Sequence, residues 1–488
     1  MDANDAPDAN SAVDPVLQPP TNVTRICRSV ARKDKDGNTQ IAYYQSGIGT
    51  GNIFDKIVGG ATGMGLAEHI REAYHFLAQN YDQDAKDEIF LVGFSRGSFT
   101  ARSIAAFISA VGLLTQKGML YFWPIFQDWE NQIKPLKEWK PNPRWPWVGP
   151  RPNLYSNAEQ YTAKLYDLGL TRKGVKVKAV ACYDTVGSLG IPRIGIFSSG
   201  IPPPEISLDY AFVDTTVPSN VEHAIHALAL DELRKPFSPT IWELPDPVDG
   251  QTLTQVWFQG AHADVGGGYD DLRPSDISLV WMISKLESWL AFDHEVVKLQ
   301  LHDPSLRQTV PDQRAWGCGQ IHEEFKGLMM KLGGWNNRSP MEYHPYDHKT
   351  GKEIKDKKLI NTCERVHSSV RVRMGVPGLG LEDKGEYNPA ALEGWTVIGT
   401  RAVNELQAST FEQVVEGQEK IVWKKEDLLL PEEPLSKLEY DLLNTFSPKL
   451  EAGFLNIVPK YAPSLDTFSV LLLSSRSGST SSPRSYAG

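Results

Sequence analysis

Apolar positions along the chain fall into short blocks, and the blocks switch between two periods. Over 66–81, Leu66, Ala67, Ile70, Ala73, Tyr74, Leu77, Ala78 and Tyr81 recur at the 3.6-residue spacing of a helix with one core-facing stripe. EIFLV at 88–92 is a short apolar run between polar flanks, the pattern of a strand buried on both faces. A second helix is predicted from Ser98 through Val111. VKAVAC at 177–182 and QVWFQ at 255–259 repeat the buried-strand pattern. QIAYYQ at 40–45 is β-prone up to the Gly-rich turn SGIGTG, and His223 and His226 fall in a segment that reads as helix. Strands alternating with helices predict the α/β class, with a doubly wound, mostly parallel sheet. In such sheets ligands bind outside the carboxyl ends of the strands, where the turns after 92, 182 and 259 fall.

A different texture interrupts this frame. Trp123, Trp129, Trp139, Trp145 and Trp147 crowd a Pro-rich stretch that reads as an insertion over about 115–170. Its large aromatics serve packing first, and a lid over an apolar ligand second. The sheet unit is placed at 20–285, and 286–460 mixes helix and loop signals as a C-terminal extension packed on that unit. The Asp-, Ala- and Pro-rich residues 1–19 and the Ser/Gly-rich tail 474–488 read as disordered.

Composition narrows the function classes. A net charge of −10 argues against general nucleic-acid binding, which needs clustered Lys and Arg on the phosphates. Cys27, Cys182, Cys318 and Cys363 lie far apart with no CxxC spacing, the pattern of free thiols in a reducing compartment. No apolar run approaches the roughly 18–20 residues of a membrane helix. With an acidic start that lacks an apolar signal region, a cytoplasmic location is expected.

The densest chemistry sits at Gly93-Phe94-Ser95-Arg96-Gly97, between a strand and a helix. A G-x-S-x-G turn forces its serine into strained backbone and exposes the hydroxyl, while the glycines remove side chains that would clash. The following helix start offers N–H groups to a developing oxyanion, with the Arg96 N–H as one donor. Serine is a weak nucleophile and needs a base. His262, in GAHADVGGG just past the QVWFQ strand, is the candidate, and His367 is the reserve. A carboxylate should hold the imidazole in one tautomer. Asp184 ends the VKAVAC strand and gives the chain order Ser, Asp, His; Asp264, two residues from His262, is the rival. A metal reading of His262, Asp264 and Asp270 has no HExxH or comparable spacing behind it, so no metal and no cofactor are expected.

Taken together, these stretches resemble one family, the α/β-hydrolase domain named after bacterial type VI secretion phospholipase effectors, in its fungal-type branch. The resemblance rests on PTNVTRI (20–26), YYQSGIGTG (43–51), GGATGMGLAEHIREAYHFLAQNY (59–81) and EIFLVGFSRGSFTARSIA (88–105). It continues through VACYDTVGSLG (180–190), HALALDELRKPFSP (226–239) and VWFQGAHADVGGGY (256–269). It implies an α/β-hydrolase-like sheet and lipase or phospholipase chemistry. It also implies an apolar first strand ending in an Asp-Gly-Thr turn just before Pro20, beside the nucleophile strand, with a second oxyanion donor. Residues 1–19 carry no apolar run. The chain is therefore expected to lack that strand and to be unstable or weakly active.

The leading expectation is a serine hydrolase acting on lipid or other acyl esters. A catalytically inactive hydrolase fold used as a binding module is the alternative. Peripheral membrane contact through the Trp-rich stretch is a weaker third idea. Acyl specificity and oligomeric state are not written in the sequence.

Overall fold

The structure is a computed structural model that describes residues 19–46, 63–131, 158–186, 215–302, 317–324, 334–346, 353–398 and 421–439. Helix α1 (Asn22–Ser29) is capped by the Thr21 side chain, and α2 (Gly63–Asn80) follows. Strand β1 (Phe90–Phe94) leads through one residue into α3 (Arg96–Val111). Next come β2 (Leu113–Leu114), α4 (Gln116–Met119), α5 (Phe122–Glu130), α6 (Ala158–Asp167) and β3 (Thr171–Arg172). The central strands are β4 (Val177–Tyr183), β5 (Val221–Ala229) and β6 (Thr252–Phe258). Beyond them lie α7 (His262–Gly266), α8 (Arg273–Leu286) and α9 (His294–His302). The last part supplies β7 (Glu364–His367), α10 (Ser368–Met374), β8 (Thr396–Ile398), β9 (Val422–Lys425) and β10 (Leu428–Glu433).

Eight strands form one sheet in the order β1-β4-β5-β6-β7-β10-β9-β8. Pairing is parallel from β1 through β10 and antiparallel only at β10–β9 and β9–β8. This is the α/β, mostly parallel sheet that the strand and helix periods predicted. Along β4 the two-residue alternation assigns each side chain to a face. Val180 and Cys182 join the core under α2, α3 and the aromatic residues of α5, while Ala179, Ala181 and Tyr183 join the core under α1, α8 and α9. With both faces covered, the strands read as unbroken apolar runs. A third core, around Trp257, Val366, Trp395, Trp423 and Leu430, packs the later strands onto the earlier ones. Among the described residues β1 pairs on one side only, with β4.

Buried side chains pin helix α1, Asn22 among them. Asn22 Nδ2 donates to the Val265 and Ser275 carbonyls and to Ser278 Oγ, at 3.1, 2.9 and 3.1 Å. The β2–β3 ladder closes the base of the segment between them. Within that segment Trp129 is buried against Phe107 and Phe126, whereas Trp123 is half exposed. Trp139, Trp145 and Trp147 lie outside the described residues, as do 1–18 and the Ser/Gly-rich tail.

Two expectations fail. QIAYYQ is not a strand. β-prone residues become a strand only where a neighbouring strand completes their hydrogen bonds. Here the Gln40 side chain fastens the segment to the Ala31 carbonyl and to both backbone groups of Ala291, and Tyr43 stacks on Phe76. His223 and His226 lie on a strand, β5, and not on a helix. Val221, Ala224, Ile225 and Leu228 imitate helical spacing because a central strand buried on both faces needs no alternation.

Candidate active site

The carboxyl ends of β1, β4, β5 and β6 lie side by side, with Phe94 opposite Tyr183, Tyr183 opposite Ala227, and Ala227 opposite Val256. Each strand leaves the sheet in a turn that carries polar residues.

After β1, Ser95 adopts φ +59° and ψ −122°, left-handed backbone that a non-glycine residue rarely accepts. Its N–H donates to the Tyr183 carbonyl at 3.0 Å, and Ser98 Oγ donates to the same oxygen at 2.9 Å. The turn is thereby fastened to the end of β4. A Cβ at Gly93 would collide with the Gly97 carbonyl, so the close approach of strand and helix requires glycine there. Gly97 differs from expectation: a Cβ would meet nothing within 4 Å, so packing does not demand a glycine at that position. Helix α3 begins at Arg96, earlier than the predicted Ser98, which places the Arg96 N–H in the first helical turn.

After β4, Asp184 is fully buried with φ +34°, and its N–H donates to the Ala227 carbonyl at 2.7 Å. Its Oδ2 lies 2.7 Å from His262 Nδ1. The Ala229 N–H donates to Oδ1 at 3.1 Å, and Arg338 reaches both oxygens, Nη1 to Oδ1 at 3.3 Å and Nη2 to Oδ2 at 3.1 Å. Burial alone would raise the acid's pKa. The Arg338 charge, the His262 bond and the Ala229 N–H outweigh it and hold Asp184 down at about 2.

After β6, His262 opens α7, nearly buried, with its ring between Phe94 and Phe237 at 4.6 and 5.0 Å between centroids. Gly266 makes this possible, because a Cβ there would occupy the Phe94 ring. No hydrogen bond joins Ser95 Oγ to His262 in the structure, although both line one cleft of about 1460 Å3. Long or unmade catalytic contacts are common before substrate binds. The cleft runs from Ser95 and His262 past Leu91, Phe99 and Ile104 to Tyr43 and Leu77. It exceeds the roughly 300–1,000 Å3 of an ordinary ligand pocket, and its wall is largely apolar.

The rival acid, Asp264, is committed elsewhere. Its carboxylate accepts from the Ala261 N–H at 2.9 Å and the His322 N–H at 2.8 Å, and lies 2.7 Å from His322 Nδ1. His367 is fully buried, with Nε2 2.9 Å from Glu439 Oε1 and Nδ1 2.8 Å from Ser369 Oγ. His226 is also fully buried, between Thr185 and Gln255, and burial with the nearby Arg102 charge takes it down to about 3. The described residues hold no group of three or more His, Cys, Asp or Glu side chains placed to share a metal ion. Nor is any described helix long and apolar enough to cross a membrane.

Sequence reasoning missed Arg338, His322 and Glu232, whose Oε2 accepts from the His262 backbone N–H at 3.3 Å. Arg338 and His322 belong to the stretch whose topology the sequence left unread, and neither sits in a catalytic motif.

An uncharacterized protein of Saccharomyces cerevisiae, YEL023C, is 29% identical over 242 residues, a match spanning 45% of this chain and 30% of the yeast protein. Residues 4–285 match the family described as T6SS phospholipase effector Tle1-like, catalytic domain. That match covers more than half of the chain and contains the turns that carry Ser95, Asp184 and His262, so the chain belongs to the T6SS phospholipase effector Tle1-like catalytic domain family.

Proposed function

We propose that this protein is a serine hydrolase that cleaves carboxylic esters of lipids or phospholipids through an acyl-enzyme. The family supports lipase or phospholipase-type chemistry. The observation that carries the finer reading is the 2.7 Å contact between a buried, low-pKa Asp184 and His262 Nδ1, beside a serine held at φ +59°.

In the proposed sequence, Ser95 Oγ attacks the ester carbonyl as His262 Nε2 takes its proton. Asp184 fixes the tautomer by accepting from Nδ1–H and stabilises the imidazolium that forms. The Arg96 N–H donates to the oxyanion. His262 returns the proton to the departing alkoxide, and water, activated by the same imidazole, releases the fatty acid. The apolar cleft would take the acyl chain, at about 0.8 kcal/mol for each buried methylene.

The test is hydrolysis of p-nitrophenyl esters and phospholipids across acyl lengths, with Ser95→Ala beside the wild type. Turnover that favours long chains and disappears with Ser95 is the expected result. Folded wild-type protein that neither turns over esters nor reacts with a fluorophosphonate would overturn it and leave a binding module as the better reading.

A further inference from the structure

The catalytic acid of the proposed triad is shared. Asp184 Oδ2 lies 2.7 Å from His262 Nδ1 and 3.1 Å from Arg338 Nη2, while Oδ1 accepts from the Ala229 N–H and lies 3.3 Å from Arg338 Nη1. Arg338 is 3% exposed, and its position is fixed by acceptors other than Asp184. Its Nε donates to the Glu232 carbonyl at 3.2 Å and its Nη2 to the Phe237 carbonyl at 2.8 Å. The backbone just before it is fastened as well: the Asn336 N–H donates to the Leu233 carbonyl and the Lys235 N–H to the Gly334 carbonyl. The guanidinium therefore cannot leave Asp184 without breaking bonds that have no part in the chemistry. Arg338 also lies beyond residues 4–285, the part of the chain that the family accounts for.

We propose that Arg338 is a positioning residue for ester hydrolysis: its fork orients the Asp184 carboxylate and limits how much of its charge reaches the His262 imidazole. This rests on the serine-hydrolase reading. A carboxylate held by the fork cannot rotate away from Nδ1, so the imidazole keeps one tautomer. The guanidinium also sits against Oδ2, the oxygen that faces Nδ1, so its charge opposes that of an imidazolium.

The other charged groups around the pair are already committed. From β5 come His226, held uncharged by burial, and beyond it Glu232, paired with Arg234 at 2.6 Å. Arg234 also meets Glu324. From α7 comes Asp264, turned to His322. From the segment of Arg338 itself comes Tyr343, a phenol that burial pushes up and so keeps neutral. Phe94 and Phe237 cover the ring of His262. Arg338 is thus the cation in direct contact with the Asp184 carboxylate.

Arg338→Met removes the charge, and Arg338→Lys keeps charge and stem while losing the fork, so a folded variant is available if the buried Met variant fails. Two readouts are taken on the full chain: the pH dependence of kcat/KM with a long-chain p-nitrophenyl ester, and the titration of the His262 ring by NMR. In Arg338→Met the acidic limb and the ring titration should both move to higher pH, by about one unit, the scale for losing a charge close to a titrating pair. In Arg338→Lys both should stay near wild type while kcat falls, roughly tenfold or more, at unchanged KM. A residue that merely glued the segment in place would change thermal stability and move neither pH readout. Folded variants with wild-type limb, titration and kcat would overturn the proposal. If Ser95-dependent turnover is absent, the hydrolase reading fails, and the ring titration still decides what Arg338 does to the Asp184–His262 pair.

Discussion

A buried carboxylate is governed by its donors, and this protein holds two contrasting cases close to one another. Asp184, with His262, Arg338 and the Ala229 N–H around it, is held down at about 2. Asp231 is also buried. Its Oδ2 accepts from the Tyr387 hydroxyl and the Gly260 N–H, both at 2.6 Å, yet burial dominates and raises it to about 6. The sign follows from proton linkage. Between about pH 4 and pH 6 the folded state keeps a proton on Asp231 that the unfolded chain has released, so this residue lowers stability as pH rises through that window. Above the window the cost levels off, on the order of 3 kcal/mol. Asp231→Asn keeps the shape and removes the charge. Its stability relative to wild type, followed by denaturant unfolding, should improve from pH 4 to pH 6 and then stay level. Parallel curves across that range would mean that Asp231 is ionised throughout.

At the scale of the element, the turn between β1 and α3 joins a strand to a helix through a single residue. Two glycines flank it, and the structure assigns them unequal parts. At Gly93 a methyl group would push against the backbone of Gly97 and Ser98, which cannot retreat because Ser95 N–H and Ser98 Oγ are both fastened to the Tyr183 carbonyl. At Gly97 there is open space and a helical position. Gly93→Ala is expected to destabilise the fold by about 3 kcal/mol or more, the range of severe core overpacking. Gly97→Ala should leave the melting temperature unchanged or raise it, since alanine favours helix over glycine by about 1 kcal/mol. Equal melting temperatures for the two variants would show that the turn relaxes more easily than its bonding suggests.

At the scale of the whole molecule, the residues matched by the family do not enclose their own core. β6 pairs with β7 through Gln255, Val256 and Trp257. Trp257 is fully buried and donates from Nε1 to Glu364 at 2.8 Å, while Gln255 donates to the Thr362 carbonyl at 2.7 Å. Lys285 and Arg365 both pair with Glu433 of β10. A chain ended after residue 285 would expose the β6 edge and the apolar side chains of Leu228, Leu230 and Trp257. It is expected to aggregate or to lose its near-UV circular dichroism, while the full chain stays folded. A monomeric, cooperatively unfolding 1–285 fragment would show instead that the later strands are dispensable.

What the sequence determined by itself was local. The apolar periods of 66–81, 98–111, 177–182 and 255–259 set helices and strands because each buries a face through its own residues. The GFSRG turn was legible for the same reason, since its strain and its glycine are contained in five consecutive residues. Tertiary structure decided what depends on a distant partner. QIAYYQ found no strand to pair with, and the two-sided burial of β5 made a strand look like a helix. Asp184 and His262 meet across 78 residues, and Arg338 reaches Asp184 across 154, through pairings that no spacing along the chain encodes. A short-range rule can place an element, but only the packed sheet can bring the ends of three strands and one arginine to the same carboxylate.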